Sequence, residues 1–228
     1  TVEEAVRLFQ ETELLELANA ADAVCKDKHP EGVVTFLIDR NINYTNICQN
    51  QCAFCAFYRP RGHPDAYVLS QEQIENKVAE TLELSGTQVM LQGGINPDLK
   101  LNFYTNMFLE LKKKFRIRIH SLSPPEIVHI ADSGGLSIAD VLGELIKAGL
   151  DSLPGGGAEI LVDSVRQRIS PRKISSAQWL EVMEEAHRQG LKTTATMMIG
   201  TVETVEDRIS HLQKIRDLQD QTGGFMSF

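Results

Sequence analysis

The sequence has no uncharged apolar run approaching the roughly 20 residues that cross a bilayer, so no membrane insertion is expected. It has no surplus of positive charge either. There are 23 Lys and Arg against 31 Asp and Glu, a formal net charge of −8. A nucleic-acid binder normally carries a basic patch, and that class is set aside. No basic-then-apolar stretch opens the chain, so no secretion signal is visible. The chain begins at Thr1 rather than Met, and an N-terminal stretch is expected to be missing. No low-complexity segment, Pro/Gly linker or break in composition divides the 228 residues, which favours one domain with a single sizeable core.

Cysteine is scarce, four in all, but its distribution is informative. Cys48, Cys52 and Cys55 fall within one short segment, spaced C-x3-C-x2-C, while Cys25 stands alone. A disulfide framework spreads its cysteines along a small secreted chain. Three thiols in one segment of an acidic, signal-less chain read instead as metal ligands in a reducing, cytoplasmic compartment. Iron–sulfur clusters are held by thiolates, and three local thiols would leave one iron of a [4Fe–4S] cluster open to a small molecule. The alternative is a structural Cys₃His zinc site with His63, although zinc usually takes two separated pairs. Cys25, in the last turn of a helix, reads as a buried core thiol.

Along the chain, strand-like and helix-like segments alternate. Apolar residues at helical spacing (Val6, Leu14, Leu17, Ala18, Ala21) make residues 1–32 a helical lead-in. The β-rich run 33–38 reads as the first strand, and further strand starts fall near 88, 117, 151, 192 and 224. Between them, Ser70 with Gln73, Ser123 with Glu126, Ser137 with Asp140 and Ser175 with Gln178 mark helix starts. Such alternation implies a parallel sheet with helices outside, either doubly wound or a β/α barrel. In both, chemistry sits at the carboxyl ends of the strands, where the Gly-rich and polar clusters of this chain fall.

The cysteine spacing after the first strand, with Phe54 before the third Cys, resembles the radical S-adenosylmethionine (SAM) superfamily. The segments 40–46, 55–58, 67–70, 91–94, 96–99, 121–124, 148–161 and 193–198 resemble one subgroup. It holds the dehypoxanthine futalosine cyclases, aminofutalosine synthase and the FO synthase subunit. Asn-Ile-Asn-Tyr-Thr-Asn before Cys48, Tyr58 after Cys-Ala-Phe, and the Ser-Leu-Pro-Gly-Gly-Gly-Ala-Glu run fit the cyclases best. Ile95 and Thr201 stand where many members carry His. The resemblance implies a TIM-like (β/α) barrel over 33–228, with its C-terminal part absent. It implies a [4Fe–4S] cluster on Cys48, Cys52 and Cys55, with SAM chelating the fourth iron.

The same resemblance implies a 5′-deoxyadenosyl radical acting on a futalosine-derived small molecule in menaquinone biosynthesis, closing it to a spiro product. A flavodoxin or ferredoxin would supply the electron. Gly93, Gly94, Phe54 and Glu159 would contact SAM, and Ser121 and Ser123 substrate; no catalytic acid or base is assigned. Each has a structural alternative: a strand-to-loop turn for the glycines, loop packing for Phe54, a first-turn helix residue for Glu159, an N-cap for Ser123. Arg168 and Arg172 read equally as carboxylate partners or surface residues. His120 reads as a satisfied core histidine, and Met197 and Met198 as packing.

Overall fold

The computed structural model describes all 228 residues. Six strands form one sheet: β1 (Asp39–Asn43), β2 (Gln88–Gln92), β3 (Arg118–Ser121), β4 (Ser152–Leu153), β5 (Lys192–Thr194) and β6 (Phe225–Ser227). Every neighbouring pair is parallel, and the spatial order follows the chain, β1 to β6. A doubly wound sheet reverses its order part-way. A sheet in which every crossover steps the same way is barrel wall, and this decides between the two architectures the alternation allowed.

Each crossover carries helix: α3 (Gln71–Glu83), α4 (Leu101–Lys114), α5 (Pro124–Gly134) with α6 (Ile138–Ala148), α7 (Asp163–Ile169) with α8 (Ser176–Arg188), and α9 (Val205–Thr222). Local chemistry explains where they start. Ser70 and Ser175 form complete capping boxes with Gln73 and Gln178, and Ser137 accepts from the Asp140 N–H. The short α7 carries no such start signal and is absent from the sequence reading. Between sheet and helices lies one continuous core. Val89, Leu91 and Ile119 of the central strands meet Tyr104 and Phe108 of α4 and Trp179 and Met183 of α8, all at or near zero exposure.

Two expectations fail. The run 33–38 is not a strand: Val34 is 91% and Phe36 86% exposed, and pairing starts only at Asp39, opposite Gln88. Branched residues fit a pleated surface, but here only the Ile38 carbonyl, at the end of the run, meets a neighbour, accepting from the Thr87 N–H (3.1 Å). The lead-in is two helices, α1 (Val2–Glu11) and α2 (Leu14–Lys28), interrupted at Thr12 and Glu13, and neither buries a side chain. Cys25 on α2 is consequently exposed rather than a core thiol. Its helical position was legible, but α2 has no core face to turn it towards. α1 packs beside α9.

Deleting bulk from the sheet should therefore cost far more than altering the 33–38 run. Ile119→Ala is expected to cost about 2–5 kcal/mol and Phe36→Ser within about 0.5 kcal/mol, measured by urea denaturation.

Candidate active site

The cysteine loop leaves β1 through Tyr44 and Thr45 and is fixed along its length by backbone hydrogen bonds. The Cys48 N–H donates to the Arg59 carbonyl (3.1 Å), the Gln49 N–H to that of Ile95 (3.0 Å) and the Ala53 N–H to that of Ile169 (2.8 Å). The loop is thus tied to its own exit, to the segment after β2 and to the end of α7. Gly94 makes the second tie possible. A Cβ there would meet the Ile47 carbonyl oxygen and stand 2.8 Å from Cys48 Cβ, so only glycine lets the two segments touch.

All three thiols are free and line one cavity of about 220 Å³, at the carboxyl ends of the strands. Phe54, Gly93, Gly94, Ser123, Glu126 and Lys173 share it. The structure therefore brings together most of the residues singled out from sequence. Ser121 is not among them: it is fully buried, and its hydroxyl donates to the Leu91 carbonyl (2.8 Å) across β2 and β3. Arg168 and Arg172 also stand off the cavity, reaching the carbonyls of Val202 (3.5 Å) and Gln49 (3.3 Å). His120 is a satisfied core residue, its Nδ1 2.7 Å from Ser152 Oγ. Met197 and Met198 pack against Ile160, Val165 and Ile169.

His63 also lies off the cavity, its Nδ1 accepting from the Asp65 N–H (3.1 Å), so a Cys₃His set is not assembled. No three His, Cys, Asp or Glu side chains converge on a single metal-ion position. The thiols instead stand round the cavity. A cluster takes its thiolates on separate irons, so this donor set fits an iron–sulfur cluster. Burial pushes the Cys52 thiol up, and the nearby Lys173 ammonium opposes that shift.

One wall is built round Glu159, which adopts a left-handed backbone (φ 42°) that a non-glycine residue rarely takes. The buried Arg166 guanidinium holds this turn. It donates to the carbonyls of Gly157 (3.1 Å) and Ala158 (2.6 Å), and to that of Ile174 (2.6 Å) beyond α7. Glu159 Oε1 accepts from Lys173 Nζ (2.5 Å), while its Oε2 is buried without a partner. Lys173 in turn lies 5.5 Å above the Phe54 ring, a cation–π contact next to the cysteines. Glu159 itself does not line the cavity; Lys173 stands between.

The facing wall is Glu126, 2% exposed in the first turn of α5. The sequence pattern reads Ser123 and Glu126 as a capping pair, but the Ser123 side chain makes no capping bond. Its hydroxyl donates to Glu126 Oε2 (2.5 Å), while Glu126 Oε1 accepts from the Gly93 N–H (3.2 Å) and the Tyr44 hydroxyl. Burial pushes the Glu126 carboxyl up to about 7, against the pull of these three donors. Tyr44, fully buried beside it, is driven well above the usual phenol range by the same burial. Sequence reasoning missed Glu126, Tyr44, Lys173 and Arg166. Only Glu126 had a signal, and a helix start explained it away.

Comparison with known proteins gives this geometry a family. The Radical SAM superfamily matches residues 42–215. The chain belongs to that superfamily. It is 45% identical over 229 residues to the cyclic dehypoxanthine futalosine synthase of Halalkalibacterium halodurans, covering 100% of this chain and 62% of the relative. It is 44% identical over 214 residues to the 5-amino-6-(D-ribitylamino)uracil–L-tyrosine 4-hydroxyphenyl transferase of Thermosynechococcus vestitus, covering 91% and 54%. The chain thus spans between half and two thirds of the length of these relatives. In fold it is similar to methylornithine synthase, with a TM-score of 0.74 and 17% identity over 100% of this chain and 64% of that one. A radical SAM enzyme fold with a parallel sheet is what this chain has, and the family implies SAM and a [4Fe–4S] cluster. No helix is long and apolar enough to cross a membrane.

A carboxyl raised from 4.5 to about 7 binds its proton more tightly in the folded chain than in the unfolded one. Its contribution to stability is therefore lost as pH rises from about 4.5 to 7, and is constant above. The stability difference between the parent and Glu126→Gln should shift in favour of the variant across that window. Paired urea titrations of the metal-free proteins at pH 5 and pH 8 measure it.

Proposed function

We propose that this chain carries the radical-generating barrel, over 33–228 with a helical lead-in over 1–32, of an enzyme that cyclises dehypoxanthine futalosine in menaquinone biosynthesis. The supporting observation is 45% identity over the whole chain to a cyclic dehypoxanthine futalosine synthase, together with three thiols on one cavity at the strand ends. In this reading Cys48, Cys52 and Cys55 would hold the cluster, with one iron left without a protein ligand and open to SAM. The pair supplies one-electron cleavage of SAM and with it a carbon radical.

The chain's own residues bind, orient and exclude water. The Gly93–Gly94 backbone lies flat against the cysteine loop and leaves room for the methionyl end of SAM. Phe54, held under Lys173, offers a face for the adenine. Glu159, with one free carboxylate oxygen, accepts from a SAM hydroxyl or ammonium once Lys173 moves off it. Ser123 faces substrate through the cavity, and Ser121 acts as a strand tie. A flavodoxin or ferredoxin in the cytoplasm delivers the electron.

The second reading is a carbon–carbon bond-forming relative, an aminofutalosine synthase or an FO-synthase-type aryl transferase. Near-equal identity to the tyrosine 4-hydroxyphenyl transferase favours keeping it. After anaerobic reconstitution, the protein should bind iron and sulfide and consume dehypoxanthine futalosine with SAM. Product mass spectrometry checks this against tyrosine plus 5-amino-6-ribitylaminouracil. Consumption of only the second pair would replace the cyclase reading with the transferase one. Each of Cys48→Ser, Cys52→Ser and Cys55→Ser should lose the brown chromophore and all SAM cleavage.

A further inference from the structure

Ring closure by a radical leaves a problem that the residues so far assigned do not solve. Once a sugar radical has added to an aromatic ring, that ring carries an sp³ carbon with a hydrogen to shed. Its C–H bond breaks, the electron pair of that bond returns to the ring, a proton leaves, and one electron passes to a one-electron carrier of the ferredoxin or flavodoxin class. The proton needs an acceptor within the cavity. We propose that the Glu126 carboxylate is that acceptor, backed by the Tyr44 and Ser123 hydroxyls; this rests on the cyclase reading.

The geometry carries the assignment. Among the residues that line the cavity, Glu126 is the one carboxyl. It shares the cavity with the cysteines and is fixed by donors on three separate strand ends: Tyr44 after β1, Gly93 after β2 and Ser123 after β3. Three anchors hold the group still, as a proton acceptor must be held to meet one carbon. No Lys, Arg or His lies within salt-bridge distance, so no counter-ion keeps it ionised; Lys173 acts on it only at longer range. The other titratable groups that face it are Tyr44 and, from α4, Tyr104, both phenols that stay neutral at physiological pH. A base works best with a pKa near the working pH, which is where burial puts this carboxyl. Ser123 and Tyr44 then accommodate either protonation state, since each hydroxyl can turn from donor to acceptor.

The test uses the reconstituted enzyme and the ratio of cyclised product to 5′-deoxyadenosine, which is independent of how fast the radical is made. In the parent protein this ratio should fall as pH is lowered through about 7. In Glu126→Gln, SAM cleavage in the presence of dehypoxanthine futalosine should persist while the ratio drops about 10²-fold or more and loses its pH dependence. Glu126→Asp should restore part of the ratio. The paired stability titration shows whether the Gln variant is folded; if it is not, the parent's pH profile and the Asp variant decide. An unchanged ratio in Glu126→Gln, loss of SAM cleavage in the folded variant, or a flat parent profile would overturn the assignment. If the parent yields no cyclised product at any pH while cleaving SAM with another substrate, the cyclase reading itself fails, and this role with it.

Discussion

A carboxyl group taken out of water needs every oxygen occupied, and Glu126 meets that need by drawing three strand ends to one point. Its partners are the last residues before the cysteine loop, the first glycine after β2 and the serine that opens α5. Hydrogen bonds to a charged or charge-sharing group contribute about 1.5–3 kcal/mol each, enough together to offset much of the cost of burial. The consequences pass outward. With Tyr44 fixed, its ring fills the space beside Gly93, where a Cβ would come within 2.5 Å of Tyr44 Cε2. Gly93 and Gly94 are then free to press on the cysteine loop, which is held where its thiols share a cavity. The carboxyl that closes the face is thus also what sets the position of the cysteines.

The opposite wall solves a different electrostatic problem. Lys173 is the one cation among the cavity-lining residues, and it sits between Glu159, Phe54 and Cys52. It offsets the charge of a carboxylate and, once thiolates are present, of a cysteine. Its ion pair with Glu159 is nearly buried on both sides, so breaking it is costly unless a ligand replaces the lost partner. Arg166 bears the strain of this wall. Its five hydrogen-bonding contacts to carbonyls on either side of α7 keep Glu159 in a left-handed turn it would not adopt alone. One wall is therefore a neutralisable acid held by two hydroxyls and the Gly93 N–H, and the other a cation paired with a carboxylate whose backbone turn Arg166 fixes.

What was legible in the sequence follows from what is local. Ser70 with Gln73 and Ser175 with Gln178 announce helices because both halves of a capping box lie within four residues. The cysteine spacing is local too, and it carried the family. Pairing is not local. The run 33–38 has the composition of a strand and the polar Asp39–Asn43 does not, yet it is the latter that has β2 at its side. β4, two residues long, was legible through the glycines that follow it, and β5, three residues long, through the β-rich composition of its own segment. Glu126 was hidden for a related reason. Ser-x-x-Glu satisfies a capping box and equally satisfies a carboxyl turned away to Tyr44 and Gly93, residues 82 and 33 positions distant. Arg166 and Lys173 carried no signal at all, since their roles exist only once α7 has folded back on the Gly155–Gly157 turn.

Near-equal identity to a synthase and to an aryl transferase has a physical reading as well. What two such enzymes share is the generation of a radical, and the surfaces that do this are large: the strand ends, the cysteine loop and the two glycine turns. What separates them is which ligand groups find partners in the cavity. A site built to hydrogen-bond one polar group can reject an analogue lacking it by about 10⁴–10⁵-fold, with one or two side chains. Such a difference is invisible in a percentage taken over some 200 residues. In this chain some cavity positions are already committed, because Gly93 and Ser123 are bound to Glu126 and Gly94 is pressed against the cysteine loop, whereas Asn50, Tyr58 and Gln92 also line it. Ile95 is one that remains: it lines the cavity with an apolar side chain and so offers no hydrogen bond there. Substrate choice in this barrel therefore rests on the lining side chains that neither Glu126 nor the cysteine loop engages.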